Sequence, residues 1–172
     1  MGIGLIVVIV STFAAIAPAQ FWIILSLLLY ILHQIEEHTG DRFRLFVNTM
    51  VLQGKQALTP RAVMVINVGL VWVLMGVCLL AATYLAPAIA LVPLSLCWIN
   101  ALVHIVPAIA SRRYNPGLAT ALVLLFPAGL YGYALLAAHI SWTAQAGAIS
   151  FVVAMHLGIV AHVARRAAAL KA

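Results

Sequence analysis

Four long apolar runs fill most of the chain after residue 61: residues 62–84, 86–110, 116–139 and 143–164. As an α-helix at 1.5 Å per residue, each is long enough to cross a hydrocarbon core of about 30 Å. The positions between them carry breakers: Thr59-Pro60-Arg61, Ala86-Pro87, Arg112-Arg113-Tyr114-Asn115-Pro116-Gly117 and His139-Ile140-Ser141-Trp142. Proline has no N–H with which to continue a helix from the preceding turn, so these breaks have a mechanism. Residues 1–38 are also mainly apolar, but a single helix of that length would measure about 57 Å, too long for one crossing. Pro18 divides them, which predicts a hairpin of spans 2–17 and 20–38. The rival is a cleaved leader ending near Ala17-Pro18-Ala19; the lack of Lys and Arg in residues 1–10 argues against it.

Residues 42–58 follow another pattern. Phe43, Phe46, Val47, Met50 and Val51 recur at helical spacing, opposite Arg44, Asn48 and Lys55. This predicts an amphipathic helix on the inner membrane surface. The expected fold is therefore all-α: one polytopic helical membrane domain of 172 residues, with about six transmembrane helices plus that surface helix.

Composition supports this reading. Hydrophobic residues are 66% of the chain and charged residues 7%, against roughly 25% charged in soluble domains. The net charge of +6 raises the question of nucleic acid, but no basic stripe interleaved with aromatics exists to bind one. The cations instead form short clusters: Arg42, Arg44, Lys55 and Arg61; Arg112 and Arg113; Arg165, Arg166 and Lys171. With six spans and the N-terminus inside, all of them fall on the cytoplasmic side and none in the outer turns, as the positive-inside rule requires. Both termini are thus expected in the cytoplasm, in a bacterial-type inner membrane. Cys78 and Cys97 lie within apolar runs without a CxxC partner and are expected to be small buried hydrophobes.

The acidic residues are few and concentrated between positions 36 and 41. Glu36 and Glu37 end the run Leu32-His33-Gln34-Ile35-Glu36-Glu37-His38. A carboxylate in or near hydrocarbon costs a few kcal/mol, so the pair must be partnered, protonated, hydrated or liganded. On a helix His33 lies over Glu36 at i+3 and Glu37 at i+4, the kind of spacing that metal sites in helical bundles use. Counting helical rise from the nearest cytoplasmic charge puts His33, His104, His156 and Asn67 in one layer, about 9–14 Å inside the inner face. His139 falls at the outer end of its helix, His162 points about 120° away from His156, and His38 lies close to the inner surface. The competing explanations are structural. Glu36 and Glu37 could neutralise Arg61, Arg112 or Arg113, and Asn67 and Asn100 could join helices. His104 could bond a carbonyl freed by Pro107.

With His33-Gln34-Ile35-Glu36-Glu37, His104 and Tyr114-Asn115-Pro116-Gly117 in view, the chain resembles the HXXEE family of membrane proteins, which is described by that motif, a further histidine and YxPG. The resemblance runs from about residue 20 onward. It implies that His33, Glu36, Glu37 and His104 matter without saying what they do. In YxPG, Tyr114 suits the membrane interface, Pro116 is expected to start a helix, and Gly117 to allow close packing.

Three functions are open to these residues. In a membrane-embedded metalloenzyme, His33, Glu36, Glu37, His104 and His156 would supply ligands suited to zinc, iron or manganese. Glu36 or Glu37 would serve as catalytic base. The substrate would be a lipid or other hydrophobic molecule from the cytoplasmic leaflet, with Arg112, Arg113 and Tyr114 at its head group. Alternatively a Glu–His relay would carry protons or metal ions, a task for which a homo-oligomer would enlarge a small machine. In the third, a non-catalytic scaffold, the polar layer only sets helix register. The expected partner is membrane lipid, not nucleic acid.

Overall fold

The computed structural model describes residues 17–170. The expected span 2–17, apart from its last residue, and Lys171 therefore lie outside the described residues. Within them the protein is all-helical, and five helices are long and apolar enough to cross a membrane. Helix α1, Pro18–His38, starts with proline at a position where a missing N–H costs nothing. After a short turn comes α2, residues 42–51. The remaining four are α3 (Pro60–Tyr84), α4 (Pro87–Ser111), α5 (Leu118–Ala137) and α6 (Trp142–Ala169).

The last helix runs on to Ala169, five residues past the expected end, and two other boundaries differ from expectation, each for a local reason. The helix expected over 42–58 stops at Val51, and Gln53 and Gly54 follow with φ of 53° and 90°. Asn48, expected on the polar face, is fully buried and holds this reversal. Its Oδ1 accepts from the Leu58 N–H at 3.0 Å, and its Nδ2 donates to the Leu58 carbonyl at 2.8 Å. Pro116 does not start α5. It lies in the turn before it, and Gly117, at φ 95°, forms the N-cap of Leu118.

Helix α4 is the most buried of the five and packs against α1, α5 and α6. Its contact with α5 is close because two glycines on α5 let the backbones approach. A Cβ at Gly129 would stand 2.9 Å from the Trp98 amide nitrogen and 3.1 Å from the Leu94 carbonyl oxygen. A Cβ at Gly132 would meet the Trp22 ring at 2.5 Å. Between lipid-facing helices there is little hydrophobic drive, so such packing carries the association. Cys78 and Cys97 are free and buried, as expected of small apolar side chains. The outer faces of the bundle expose Leu28, Val77, Leu80, Val123 and Val160, a surface suited to hydrocarbon.

Helix α3 packs mainly on α1, and α6 mainly on α4, which leaves an apolar groove between α3 and α6. At the end of the bundle near His38 the elements are tied by polar contacts. Lys55 Nζ donates to the Ala167 carbonyl at 3.1 Å, and Arg166 Nε to the Ala57 carbonyl at 3.1 Å. Asp41 is bound by the Arg44 guanidinium, whose hydrogen bonds hold the exposed carboxyl below its usual range.

If the α4–α5 contact is limited by backbone approach, Gly129→Ala will lower stability by about 1–3 kcal/mol. Gly76→Ala, where an added Cβ meets nothing within 4 Å, will not. Reversible unfolding in mixed micelles measures both.

Candidate functional site

The two glutamates of the HXXEE run are adjacent, so on α1 their side chains diverge by about 100° and meet different neighbours. Glu36 turns to the start of α5. Its Oε1 accepts from the Tyr114 hydroxyl at 2.5 Å and the Ala119 N–H at 3.2 Å. Its Oε2 accepts from the Thr120 N–H at 2.7 Å and the Thr120 hydroxyl at 2.5 Å. Ala119 and Thr120 are in the first turn of α5, whose N–H groups have no helical partners. Glu36 thus caps one helix from another, at the end where the peptide dipoles favour negative charge. A cap of this kind contributes roughly 0.5–2 kcal/mol. Partial burial, and then the Glu36 carboxylate, raise the Tyr114 pKa above its ordinary value, so the phenol keeps the proton it donates.

Glu37 turns inward and meets His33 and His104. One ligand atom from each of the three lies within 4.8 Å of the others, and relative exposures are 0% for His33, 3% for His104 and 7% for Glu37. The Glu37 oxygens are 3.8 Å from His33 Nε2 and 3.6 Å from His104 Nε2. The imidazoles stand edge to face, with centroids 4.8 Å apart.

Which ring nitrogens carry hydrogen follows from groups that can only donate or only accept. Thr120 has one hydroxyl hydrogen, and Glu36 Oε2 takes it. The 2.9 Å contact between Thr120 Oγ1 and His33 Nδ1 must therefore use a hydrogen on Nδ1. At His104, Asn115 Nδ2 donates to the residue's own carbonyl at 2.9 Å, which orients the amide. Asn115 Oδ1 then accepts from His104 Nδ1–H at 2.8 Å. Both Nε2 atoms, 3.8 and 3.6 Å from the Glu37 oxygens, consequently carry no hydrogen.

A third chain ends in the same place. Trp72 Nε1–H, a donor only, gives to Gln34 Oε1 at 2.6 Å. Gln34 Nε2 then gives to Asn67 Oδ1 at 2.9 Å, and Asn67 Nδ2 to His38 Nε2 at 2.7 Å. His38 Nε2 is an acceptor in this chain, yet it lies 3.2 Å from Glu37 Oε2. Asn100 Nδ2 donates to His33 Nε2 at 3.1 Å and covers one of the lone pairs. The rest of the cluster sets acceptors against acceptors in a buried place, where unpaired polar atoms cost several kcal/mol. A shared proton, a water donor or a metal ion would relieve this, and His33, Glu37 and His104 lie close enough to hold a metal ion. A tetrahedral zinc with ligands at ~2.0–2.1 Å has them about 3.3 Å apart, close to the separations at Glu37.

The cluster borders a cavity of about 520 Å³ whose lining includes Glu37, His38, Asn67, Asn100, His104 and His156. The polar layer counted from the sequence is therefore one place in the fold. His156 lines the cavity but is not among the three convergent ligands, and its Nδ1 donates to the Val152 carbonyl at 2.9 Å. Phe43, Phe46, Val47 and Val51 of α2 line it too, so the apolar stripe of that helix faces the cavity. Arg112 and Arg113 are exposed beside Tyr114 at the end of α4. His104 bonds Asn115, not the carbonyl that Pro107 frees. Behind the cluster stands Gly117. An added Cβ would be 2.8 Å from His33 Cε1 and 2.9 Å from His104 Cε1. YxPG thus supplies the cap's phenol, the His104 orienter Asn115 and the glycine wall.

Sequence reasoning missed Thr120, Asn115, Gln34 and Trp72 as partners. Asn115 and Gln34 occupy variable positions inside the two motifs, and a polar residue within an apolar run was the available signal for the others.

A family model described as "Protein of unknown function with HXXEE motif" matches residues 22–132, and the chain belongs to that family. The matched stretch contains His33, Glu36, Glu37, His104, Tyr114, Gly117 and Thr120; His156 lies beyond it. Comparison with curated proteins and with solved structures produced no match.

Nitrogen-15 shifts of the ring nitrogens will report the Nδ1–H tautomer for His33 and His104. Gly117→Ala places a side chain at positive φ and against both rings, so it will cost at least about 1–3 kcal/mol in an unfolding measurement.

Proposed function

We propose that this HXXEE protein is a membrane-embedded, metal-dependent enzyme that acts on a lipid or other hydrophobic substrate. The observation that carries the reading is the convergence of His33, Glu37 and His104 within 4.8 Å, with Thr120 and Asn115 leaving both Nε2 atoms without hydrogen beside Glu37; a metal at His33 would have to displace the Asn100 amide. Two imidazoles and a carboxylate suit zinc, iron or manganese. Three protein ligands leave a coordination position for a reactant, which is the pattern of catalytic more than structural metal sites. Partners of the second shell, here Thr120 and Asn115, fix ring orientation and tautomer.

Glu36 is fully engaged as a cap and Glu37 is the ligand. The role of general base then falls to His156, whose Nδ1 hydrogen is committed to Val152 and whose Nε2 is an acceptor. A metal at Glu37 would act as a Lewis acid toward an oxygen of the substrate. The adjoining cavity holds the reactant, and α2 covers it from the end that bears the basic residues. Arg112 and Arg113 stand there for an anionic head group, which favours a substrate presented from the cytoplasmic leaflet.

Metal analysis of the purified protein tests this. Wild type is expected to hold about one ion per chain, and His33→Ala, Glu37→Gln and His104→Ala to lose it. Glu36→Gln, which removes no ligand but weakens the cap that orients His33 through Thr120, is expected to bind the ion less tightly without abolishing it. Substoichiometric metal in wild type after loading, with all variants folded, would mean that protons satisfy the cluster and that it is a structural or proton-carrying network.

A further inference from the structure

The groove between α3 and α6 has a volume of about 500 Å³ and is lined by Gly69, Leu70, Val73, Val77, Phe151 and Met155, among others. No charged or polar side chain lines it. It runs along segments of bilayer-crossing length, where the medium outside is hydrocarbon. Leu70 and Met155 also line the inner cavity, so groove and cavity adjoin through these two side chains. The combined space is apolar along the groove and gains Asn67, Asn100, His104 and Glu37 only in the cavity. Such a gradient matches an amphiphile with one long apolar chain and a small polar end. Its neutral or weakly charged end follows from the lining, in which the cavity presents no Lys or Arg.

We propose that the groove is a lateral portal, through which a single hydrocarbon chain bearing a terminal oxygen function enters from the bilayer. The oxygen end reaches Glu37 and His104 while the chain stays between α3 and α6. This deepens the metalloenzyme reading by naming the substrate class, and rests on it only for what happens at the oxygen end. Among the described residues the groove is open because the two helices that form it pack on other partners, and because Gly69 gives α3 no side chain there. A Cβ at Gly69 would meet only Val65 Cγ1, at 3.9 Å. Gly69→Phe therefore starts from a Cβ that meets no clash, and its ring is set at the groove that Gly69 lines.

A hexadecanol analogue with a diazirine in mid-chain, added to the full-length protein in nanodiscs, tests the portal. After irradiation, label is expected on residues 69–77 of α3 and 151–160 of α6, and Gly69→Phe should reduce it at least tenfold. Gly158→Phe, at a glycine outside groove and cavity whose added Cβ also meets nothing within 4 Å, should leave it unchanged. Label spread evenly over all lipid-facing helices, or equal in wild type and Gly69→Phe, overturns the proposal as ordinary annular lipid. Absence of label on α3 and α6 also overturns it, as would follow if residues 1–16 or a second copy of the chain filled the groove. Metal content read on the same samples keeps the two readings apart. Label without metal leaves the portal and removes the metal, whereas metal without label does the reverse.

Discussion

The carboxylate of Glu36 on the first turn of α5 is the contact on which the site depends. The free N–H groups at a helix start need a partner, and at Ala119 and Thr120 that partner comes from the protein. Glu36 supplies that partner, and in doing so holds α1 against α5. The same contact takes the Thr120 hydroxyl hydrogen, which decides the tautomer of His33 and hence what the interior of the bundle presents to Glu37. A local demand for hydrogen-bond satisfaction is thereby converted into a chemically poised cluster.

Helix α4 provides the other half. It is held close to α5 by Gly129 and brings His104 opposite His33. The turn that follows returns Asn115 to the same ring and places Gly117 as a wall behind both. HXXEE and YxPG are far apart along the chain but form two sides of one construction. The first contributes His33, Glu37 and a cap acceptor; the second contributes the donor to that acceptor, an orienter and the space the rings need.

Much of this was legible in the sequence, for identifiable reasons. Bilayer-length apolar runs punctuated by proline announce their spans, and helical rise turned residue counts into a depth at which His33, His104, Asn67 and His156 coincided. Rise along an axis says nothing about rotation between helices, however. Whether Glu36 or Glu37 faced the histidines depended on where α5 lay, which no local pattern encodes. Asn48 reads as a polar-face residue until the chain reverses at Gln53 and Gly54 and delivers the Leu58 backbone to it. Pro116 reads as a helix start until Gly117 takes the cap. The chain from Trp72 through Gln34 and Asn67 to His38 crosses between α1 and α3 at every step, so it became visible only when they were assembled.

The hydroxyl of Thr120 belongs at once to the helix cap and to the imidazole. Seating α5 on α1 and aiming the His33 ring are therefore one degree of freedom with two readouts. Anything that fixes the ring must tighten the seam between the helices by the same free energy, and anything that loosens the seam must release the ring, because such coupling is reciprocal. The seam lies at the end of the bundle that bears Arg112 and Arg113. The aim of a fully buried ring is thus set from the rim of the bundle and not from within the cluster.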